Sequence, residues 1–255
     1  MKNKILKKIV GLFGYKIISK DLFKNHRLVS QNNYLKIENI LENLFKENKI
    51  NYLIQIGAND GKRFDILNYF ITTHKIDSLL VEPIIDNFNS LKKNYSDFRF
   101  VTIENSAISV KNEILNLYKV KKSMIDHYEK KYGDHIRGIS SFYKKHLIKH
   151  GIKKNHIDEE NVKTLTALEL TQKYNILNVD LLFVDAEGYD GSIVIDFLEN
   201  TKFRPIIILE YIHIEIKKFE TLTKLLAINN FIYFIIDENL ICFPREKRDL
   251  INFFK

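Results

Sequence analysis

The 255-residue chain has one cysteine, Cys242, and no tryptophan. A single cysteine excludes a disulfide framework and a cysteine zinc site, and it agrees with a reducing cytoplasm, where we expect the protein to reside. No apolar run reaches the length of a membrane-spanning helix. Lysines interrupt the N-terminal residues and no small-residue cleavage site follows, so we predict neither a transmembrane segment nor a signal peptide.

The formal net charge of +8 is the main bias in a composition that is otherwise ordinary for a globular protein. A basic balance can attract nucleic acid, an anionic membrane or a phosphorylated small molecule. The lysines are scattered, and the chain contains no zinc finger, arginine-rich tract or RNA-binding aromatic motif. We therefore expect no nucleic-acid partner and favour a metabolite linked to a nucleotide.

Residues 51–61 have the pattern of a strand, a glycine turn and the start of a helix. An apolar run ends at Gly57, and a helical pattern follows Gly61. Such a turn lets the backbone approach a nucleotide-like ligand in an open α/β sheet. It contains neither the dinucleotide glycine pattern nor a P-loop. An ordinary α/β turn also needs glycine, so the two glycines alone leave the interpretation open.

A second short apolar run, residues 78–81, ends at Glu82. This acid lies roughly 20 residues beyond the glycine turn, the spacing at which an acid at the end of the second strand holds ribose hydroxyls. A carboxylate that caps a following helix is the competing interpretation. Two glycines and one spaced acid, without a pyrophosphate loop, favour S-adenosylmethionine over NAD as the cofactor.

Short apolar runs alternate with helical patterns along most of the chain. Predicted strands cover residues 52–56, 78–81, 98–103, 114–120, 161–165, 179–184, 206–209, 231–236 and 239–243. Predicted helices cover residues 34–47, 64–72, 84–95, 167–174, 192–198 and 219–228. This alternation predicts an α/β fold with a mainly parallel sheet between helices, and the last two strands are close enough to form a hairpin.

Two segments depart from this alternation. Residues 1–50 are predicted to form a helical extension, whose basic amphipathic start packs on the domain or contacts a membrane surface or partner chain. Residues 121–161 interrupt the main domain, residues 51–255, and we predict that they form a lid over the ligand cleft. This insertion carries His146 and His150 one helical turn apart. That spacing permits a shared metal, but a solvated basic face is the preferred interpretation.

Acidic residues follow two late strands of the predicted sheet. Asp185 and Glu210 come directly after apolar runs, and Glu187 and His213 lie just beyond them. The carboxyl ends of parallel strands meet at one edge, so we expect these groups to converge beside the glycine turn. They suit removal of a proton from a hydroxyl, or one divalent ion bound by Asp185, Glu210 and His213. Helix or turn caps are the competing role for the two acids.

Several motifs occur in order along roughly residues 50–240. They are Ile56-Gly-Ala-Asn-Asp-Gly61, Val81-Glu-Pro83 with Phe88 and Leu91, Asn105-Ser-Ala107, Gly138-Ile-Ser-Ser-Phe142 with His146, Asp185-Ala-Glu-Gly-Tyr-Asp190, and Arg204-Pro205 before Glu210 and His213. This ordered set resembles the FkbM-like family of S-adenosylmethionine-dependent methyltransferases. The resemblance implies a Rossmann-like class I methyltransferase fold, in which a mostly parallel seven-stranded sheet ends in an antiparallel hairpin. It also implies methyl transfer to oxygen.

The resemblance also implies roles for particular residues. Those expected to bind the cofactor are Gly57, Asn59, Asp60 and Gly61 at its methionine part, Glu82 at its ribose, and Asn105, Ser106 and Ala107 near its adenine. Those expected to bind the acceptor are Arg137, Ser140, Ser141 and His146 of the insertion, together with Glu187.

We therefore predict an S-adenosylmethionine-dependent O-methyltransferase that acts on a hydroxyl of a sugar or nucleotide-linked sugar. The resemblance to the family suggests that this reaction belongs to bacterial surface polysaccharide (capsule) biosynthesis. Asp185, Glu210 and His213 form the predicted catalytic group, alone or through a divalent metal ion. A non-sugar metabolite or RNA as acceptor, and a non-catalytic scaffold that binds the cofactor, are the alternatives. A homo-oligomer is compatible with the sequence.

Overall fold

The computed structural model describes residues 36–47, 49–63 and 65–247. The predicted amphipathic segment, residues 1–18, lies outside the described residues, as does most of the predicted N-terminal extension. The first described helix is α1 (Ile37–Lys46), within the helix predicted over residues 34–47, and it buries Ile40, Leu41, Leu44 and Phe45.

The described strands are β1 (Tyr52–Ile56), β2 (Asp77–Val81), β3 (Val101–Glu104), β4 (Ala107–Ile108), β5 (Ile114–Val120), β6 (Ser140–Ser141), β7 (Ile157–Leu165), β8 (Leu181–Val184), β9 (Ile206–Glu210), β10 (Phe231–Ile236) and β11 (Asn239–Pro244). The further α-helices are α2 (Ile66–His74), α3 (Ile85–Asn94), α4 (Ile125–Tyr132), α5 (Lys144–Lys149), α6 (Ala167–Lys173), α7 (Asp190–Asn200) and α8 (Ile216–Ile228). Short 3-10 helices span Lys122–Met124, Asp134–Arg137 and Lys154–His156. Among these described helices, none combines the length and the apolar character needed to cross a membrane.

The main sheet has seven strands in the spatial order β10-β11-β9-β8-β1-β2-β3. Neighbouring strands pair in parallel, except that β11 runs antiparallel to both β9 and β10. This is the sheet that the resemblance to class I methyltransferases implies. The predicted α/β fold with an antiparallel C-terminal hairpin is confirmed.

The central strands are buried on both faces because helices cover both sides of the sheet. Ile54, Leu182 and Ile207 pack in one apolar cluster with residues of α6, α7 and α8. Their neighbours Leu53 and Leu181 point to the opposite face and are equally inaccessible to solvent. Each central strand is therefore apolar, apart from Gln55 in β1, and polar residues at its end mark the rim of the sheet.

A second sheet, in the order β4-β7-β5-β6, carries the insertion. β7 pairs antiparallel with all of β5, from Ile114 opposite Lys163 to Val120 opposite Ile157. This full-length pairing explains why β7 begins at Ile157, earlier than the strand predicted from residue 161. Residues 121–156 therefore connect two paired strands, and they bury an apolar cluster of their own that includes Tyr128.

Other boundaries differ from the predictions where local turns compete with strand pairing. β3 begins later than the predicted residue 98, because the backbone N–H groups of Phe98 and Val101 donate to carbonyls three residues earlier. α7 begins at Asp190, two residues before its predicted start.

The spatial order of the strands reverses at β1, which brings three strand ends together. From β1 the chain builds outward to β2 and β3, whereas β8 and β9 lie on the other side of β1. Ile56 is opposite both Val81 and Val184 in the two parallel ladders. Ligands of open α/β sheets bind outside the carboxyl ends of the strands at such a reversal.

Candidate active site

A pocket opens at the carboxyl ends of β1, β2 and β8. The predicted site residues in its wall are Gly57, Asn59, Glu82, Ser106, Ala107, Ser140, Asp185 and Glu187. Within the described part of the chain, the other predicted site residues lie outside this wall: Asp60, Gly61, Asn105, Arg137, Ser141, His146, Glu210 and His213. The pocket thus combines predicted cofactor and acceptor residues, while some predicted groups surround it.

The glycine turn after β1 forms one side of the pocket. Gly57 has a φ of +86°, and a Cβ added there would lie 1.8 Å from the carbonyl oxygen of Asp185. The Gly57 N–H donates to the carbonyl of Val81 at 3.0 Å. Asn59, with a φ of +52°, donates its N–H to the Glu82 carboxylate at 2.9 Å. Only glycine fits between the ends of β1 and β8, and the turn is bonded to β2.

Glu82 is a buried carboxylate, 4% exposed, in the pocket wall. Its two oxygens accept hydrogen bonds from the backbone N–H groups of Asn59 and Ile84, each at 2.9 Å. Burial raises its pKa from 4.5 to about 7, although those hydrogen bonds favour the charged form. Each carboxylate oxygen has a second lone pair. Glu82 can therefore accept further hydrogen bonds from a diol in the pocket.

Two further acceptors in the pocket wall were missed by the sequence reasoning. Oε1 of Gln55 and Oδ2 of Asp65 are buried and accept no hydrogen bond within the described residues. Nε2 of Gln55 donates to Oδ1 of Asp65 at 3.1 Å, and the same Oδ1 caps α2 by accepting from the Leu67 N–H. Burial raises the pKa of Asp65 to about 6. A buried acceptor without a donor is costly, so this pair suits a bound donor such as an ammonium group.

The predicted adenine segment lies at the adjoining end of β3. Nδ2 of Asn105 donates to the carbonyls of Glu82 and Pro83, each at 3.0 Å. Asn105 thus holds the loop after β3 against the loop after β2. Ser106 and Ala107 follow it and line the pocket.

Asp60 and Gly61 belong to the glycine turn but lie outside the wall of the pocket. Oδ1 of Asp60 accepts hydrogen bonds from the backbone N–H groups of Lys62 and Arg63. A Cβ added to Gly61 would lie 2.3 Å from the side chain of Leu91. These two predicted cofactor residues therefore support the turn, while Arg63 lines the pocket.

The loop after β8 is a tight turn organised by Asp190, which is fully buried. Its carboxylate accepts hydrogen bonds from the N–H groups of Ala186 at 2.9 Å and Gly188 at 3.0 Å. Glu187 and Gly188 have φ values of +49° and +94°. This turn sets Asp185 and Glu187 in the wall of the pocket.

Four carboxylates crowd this region: Asp185, Glu187, Asp190 and Glu210. Burial is the main cause that raises the pKa of each one, to about 8 for Glu187 and Asp190 and to about 9 for Glu210. The negative charge of Asp185 raises the other three further. Asp185 keeps solvent-accessible surface inside the pocket. Among the described residues, no lysine or arginine forms an ion pair with these four acids; His146 lies beside Glu187 and His213 beside Glu210.

Three histidines meet Glu187 in what we call the His–Glu cluster: His146, His150, Glu187 and His213. The ring centroid of His146 lies 4.5 Å from that of His150 and 4.6 Å from that of His213. Nε2 of His146 lies 2.8 Å from Oε2 of Glu187. His146 is only 8% exposed, so the interpretation of this helix face as solvated is wrong for that residue.

The predicted metal ligands were a different set, and of these only His213 belongs to the His–Glu cluster. Nε2 of His213 lies 3.8 Å from Oε2 of Glu210. Burial, and then the neighbouring His146 and His150, lower the pKa of His213 to about 4. Burial also lowers the pKa of His146. Both imidazoles are therefore neutral near pH 7.

The insertion reaches the pocket through β6. Ser140 lines the pocket, and Oγ of Ser141 donates to the carbonyl of Glu187 at 2.9 Å. Phe142 also lines the pocket and packs edge-to-face on Tyr189 with ring centroids 5.1 Å apart. The insertion is thereby attached to the loop after β8.

Arg137 lies in a second groove, which shares Asn59 and Arg63 with the pocket. Its guanidinium donates to the carboxylates of Glu129 and Asp126. Lys119 and Lys122 also line this groove. Asp60, Asp86 and Asp158 line the groove too. Arg63, Lys119 and Lys122 pair with carboxylates as Arg137 does, so the groove carries both signs of charge.

Comparison with known families decides the chain's membership. The model of the methyltransferase FkbM domain matches residues 55–237, which is most of the chain. The chain belongs to the FkbM methyltransferase family. The resemblance of its motifs to that family is confirmed, and the chain is a methyltransferase of the type that uses S-adenosylmethionine.

Solved structures provide more distant matches to this FkbM methyltransferase. Methyltransferase FkbM from Methylobacillus flagellatus KT is 12% identical with a TM-score of 0.43, and the match covers 76% of this chain and 44% of that chain. The O-methyltransferase from Bacillus cereus is 8% identical with a TM-score of 0.44, over 93% and 96% of the two chains. Precorrin-6y C5,15-methyltransferase from Geobacter metallireducens GS-15 is 9% identical with a TM-score of 0.39, over 86% and 92%. None of the curated proteins compared with the chain matches it in sequence.

The raised pKa of Glu82 predicts how the stability of the cofactor-free methyltransferase depends on pH. Because the folded state holds the Glu82 proton up to about pH 7 and the unfolded state releases it near 4.5, the free energy of unfolding falls as pH rises through this window. Glu82 alone accounts for about 3 kcal/mol of this fall. Between pH 4.5 and pH 8, we expect the free energy of unfolding of the Glu82→Gln variant to fall by about 3 kcal/mol less than that of wild type. Urea denaturation measures this difference.

The Glu42→Gln variant, which removes an exposed carboxylate of α1, controls for the loss of one negative charge. It should keep the wild-type pH dependence. Equal slopes for wild type and Glu82→Gln would contradict the assignment of a buried, proton-holding Glu82.

Proposed function

We propose that this methyltransferase transfers a methyl group to a hydroxyl oxygen of a sugar or nucleotide-linked sugar. The observation that carries the proposal is the position of Asp185, a solvent-accessible carboxylate in the same pocket as the glycine turn and Glu82. A cofactor bound by the glycine turn and Glu82 and an acceptor hydroxyl beside Asp185 would therefore share one pocket. We further propose that the reaction occurs in the cytoplasm during bacterial surface polysaccharide (capsule) biosynthesis. This part of the proposal rests on the role that the family resemblance implies.

The wall of the pocket suits S-adenosylmethionine along its length. Oε2 of Glu82 accepts one recorded hydrogen bond and has a further lone pair for a ribose hydroxyl, while Ser106 and Ala107 border the space for the adenine. Gln55 and Asp65 supply two buried oxygens without donors for the α-ammonium group. The glycine turn lets the methionine chain approach the backbone. This division of roles supports the cofactor orientation implied by the family motifs.

S-adenosylmethionine supplies an electrophilic methyl group on a sulfonium, so the protein must align the acceptor oxygen and remove its proton. We assign proton removal to Asp185. Of the three predicted catalytic residues, Asp185 lines the pocket, whereas Glu210 and His213 lie outside its wall. Glu210, whose pKa is raised to about 9, holds its proton at neutral pH and can donate a hydrogen bond to the acceptor. Asp185 is exposed to solvent, so it can pass the proton on to water. A nearby positive sulfonium favours the ionised form of Asp185.

The acceptor side of the site adjoins the second groove, whose four cations, each paired with a carboxylate, can exchange those partners for the diphosphate of a nucleotide-linked sugar. The second groove carries Arg63, Lys119, Lys122 and Arg137. Lysine and arginine bind phosphate oxygens by charge-assisted hydrogen bonds. A sugar that enters past Ser140 can therefore place its diphosphate in this groove while its hydroxyl reaches Asp185. Residues 121–156 act as the lid that selects the acceptor.

The free acceptors at Gln55 and Asp65 generate a prediction for cofactor affinity. In the Asp65→Asn variant the amide oxygen can retain the cap of α2 and the bond from Gln55, but the charge that faces the ammonium group is lost. Hydrogen bonds to charged groups contribute about 1.5–3 kcal/mol, so we expect the dissociation constant for S-adenosylmethionine to rise about 10-fold to 100-fold. Isothermal titration calorimetry measures this change.

Asp196→Asn is the matched control, since Asp196 is a buried carboxylate that accepts from the Ala167 N–H. It lies outside the described wall of the pocket. We expect its cofactor affinity to be unchanged. If Asp65→Asn binds S-adenosylmethionine like wild type, the ammonium assignment is wrong.

The acidic strand ends generate a prediction for turnover. With a sugar acceptor found by screening nucleotide-linked sugars with a labelled methyl donor, Asp185→Asn should lower kcat by about 10²-fold to 10⁴-fold, the usual contribution of general base catalysis. Its affinity for S-adenosylmethionine should change little. Full activity in the alanine variants of Asp185, Glu210 and His213 would end the catalytic assignment.

A further inference from the structure

The His–Glu cluster joins three parts of the chain that are distant in sequence. His146 and His150 come from α5 of the insertion and its C-terminal cap, Glu187 from the loop after β8, and His213 from the loop after β9. Each residue offers one nitrogen or oxygen atom that can bind a metal, and these four atoms lie within 4.8 Å of one another. The cluster is therefore a tertiary arrangement that no single segment creates.

We propose that the His–Glu cluster binds one zinc ion, which fixes α5 of the insertion to the loops that follow β8 and β9. The inference goes beyond the proposed function, because metal binding is measured without any acceptor or turnover.

The spacing of the cluster is close to that of a tetrahedral zinc site. Bonds of 2.0–2.1 Å to nitrogen and oxygen place neighbouring ligand atoms about 3.4 Å apart. The closest recorded pair, Nε2 of His146 and Oε2 of Glu187, is 2.8 Å apart, and the upper bound for all pairs is 4.8 Å. Small side-chain rotations are thus enough to bring all four atoms to one ion.

The chemistry of the four ligands selects zinc over hard cations. Three imidazole nitrogens and one carboxylate oxygen suit zinc and related transition metals, whereas calcium and magnesium prefer oxygen ligands. Imidazole binds metal in its neutral form. Four protein ligands fill a tetrahedral shell, as in sites that stabilise structure.

The charges around the cluster also favour a bound cation. Glu187 lies among other acids, and among the described residues its recorded ion-pair partner is His146. A divalent ion supplies positive charge without protonating any of the three rings.

Gly188 of the tight turn lies in contact with two of the histidines. A Cβ added to Gly188 would lie 3.5 Å from Cβ of His213 and 3.9 Å from Nδ1 of His146. The φ of +94° at Gly188 turns the chain so that Glu187 faces α5. The same turn holds Asp185 in the pocket, so metal binding would also stabilise the loop that carries the proposed base.

Zinc titration of the full chain, after removal of metals with a chelator, tests this proposal. Calorimetry should show one zinc ion per chain, and zinc should slow amide hydrogen exchange in α5. His150→Ala and His213→Ala should each weaken zinc binding more than about 100-fold, the upper end of the loss caused by changes to residues that only support metal ligands. His150 is half-buried, so its variant should keep the wild-type circular dichroism spectrum even if His213→Ala does not fold.

His127→Ala is the matched control, because His127 is an exposed histidine of α4 in the same insertion. It should bind zinc like wild type. Absence of saturable zinc binding by folded wild-type protein would overturn the proposal. Zinc binding that persists unchanged in folded His150→Ala, or that falls equally in His127→Ala, would overturn it as well. Because the proposed acceptor plays no part in this titration, its outcome is independent of the proposed methyl transfer.

Discussion

The close contact between the ends of β1 and β8 is the constraint on which the site depends. A side chain at Gly57 would collide with the Asp185 carbonyl, so glycine is required where the two strands end side by side. This contact joins the first half of the sheet, which carries Glu82, to the second half, which carries the acidic loop. Because the strand order reverses at β1, the same contact also opens the crevice in which both halves face a ligand. Without it, the cofactor wall and the proposed base would not share one pocket.

The second organising feature is a group of four acids that have no lysine or arginine partner among the described residues. Burial raises the pKa of Asp185, Glu187, Asp190 and Glu210, and the charge of Asp185 raises the pKa of the other three further. Such an arrangement destabilises the cofactor-free protein when its acids ionise, so it requires a functional explanation. A sulfonium in the pocket and a metal ion at the His–Glu cluster are both cations. The proposed cofactor and the proposed zinc ion would therefore each place a positive charge beside this group of acids.

The sequence predicted the parts of the site that lie at the ends of apolar strands. Gly57, Glu82, Asp185 and Glu210 each follow a buried run, and strand order makes their neighbourhood a consequence of the fold. The Gln55–Asp65 pair was missed, although a glutamine inside an apolar strand is a visible signal, because its free oxygen depends on side-chain hydrogen bonds. The His–Glu cluster was also missed: helical spacing linked His146 to His150, but only tertiary packing adds Glu187 and His213. The amphipathic residues 1–18 stay a prediction.

The central claim is that one pocket binds the cofactor between the glycine turn, Glu82 and Asp185. A crystal structure of the full chain with S-adenosylhomocysteine tests it most directly. We expect the ribose hydroxyls within hydrogen-bond distance of the Glu82 carboxylate, the ammonium group beside Gln55 and Asp65, and the sulfur facing Asp185. A ligand bound elsewhere, or bound with its ribose away from Glu82, would contradict the account.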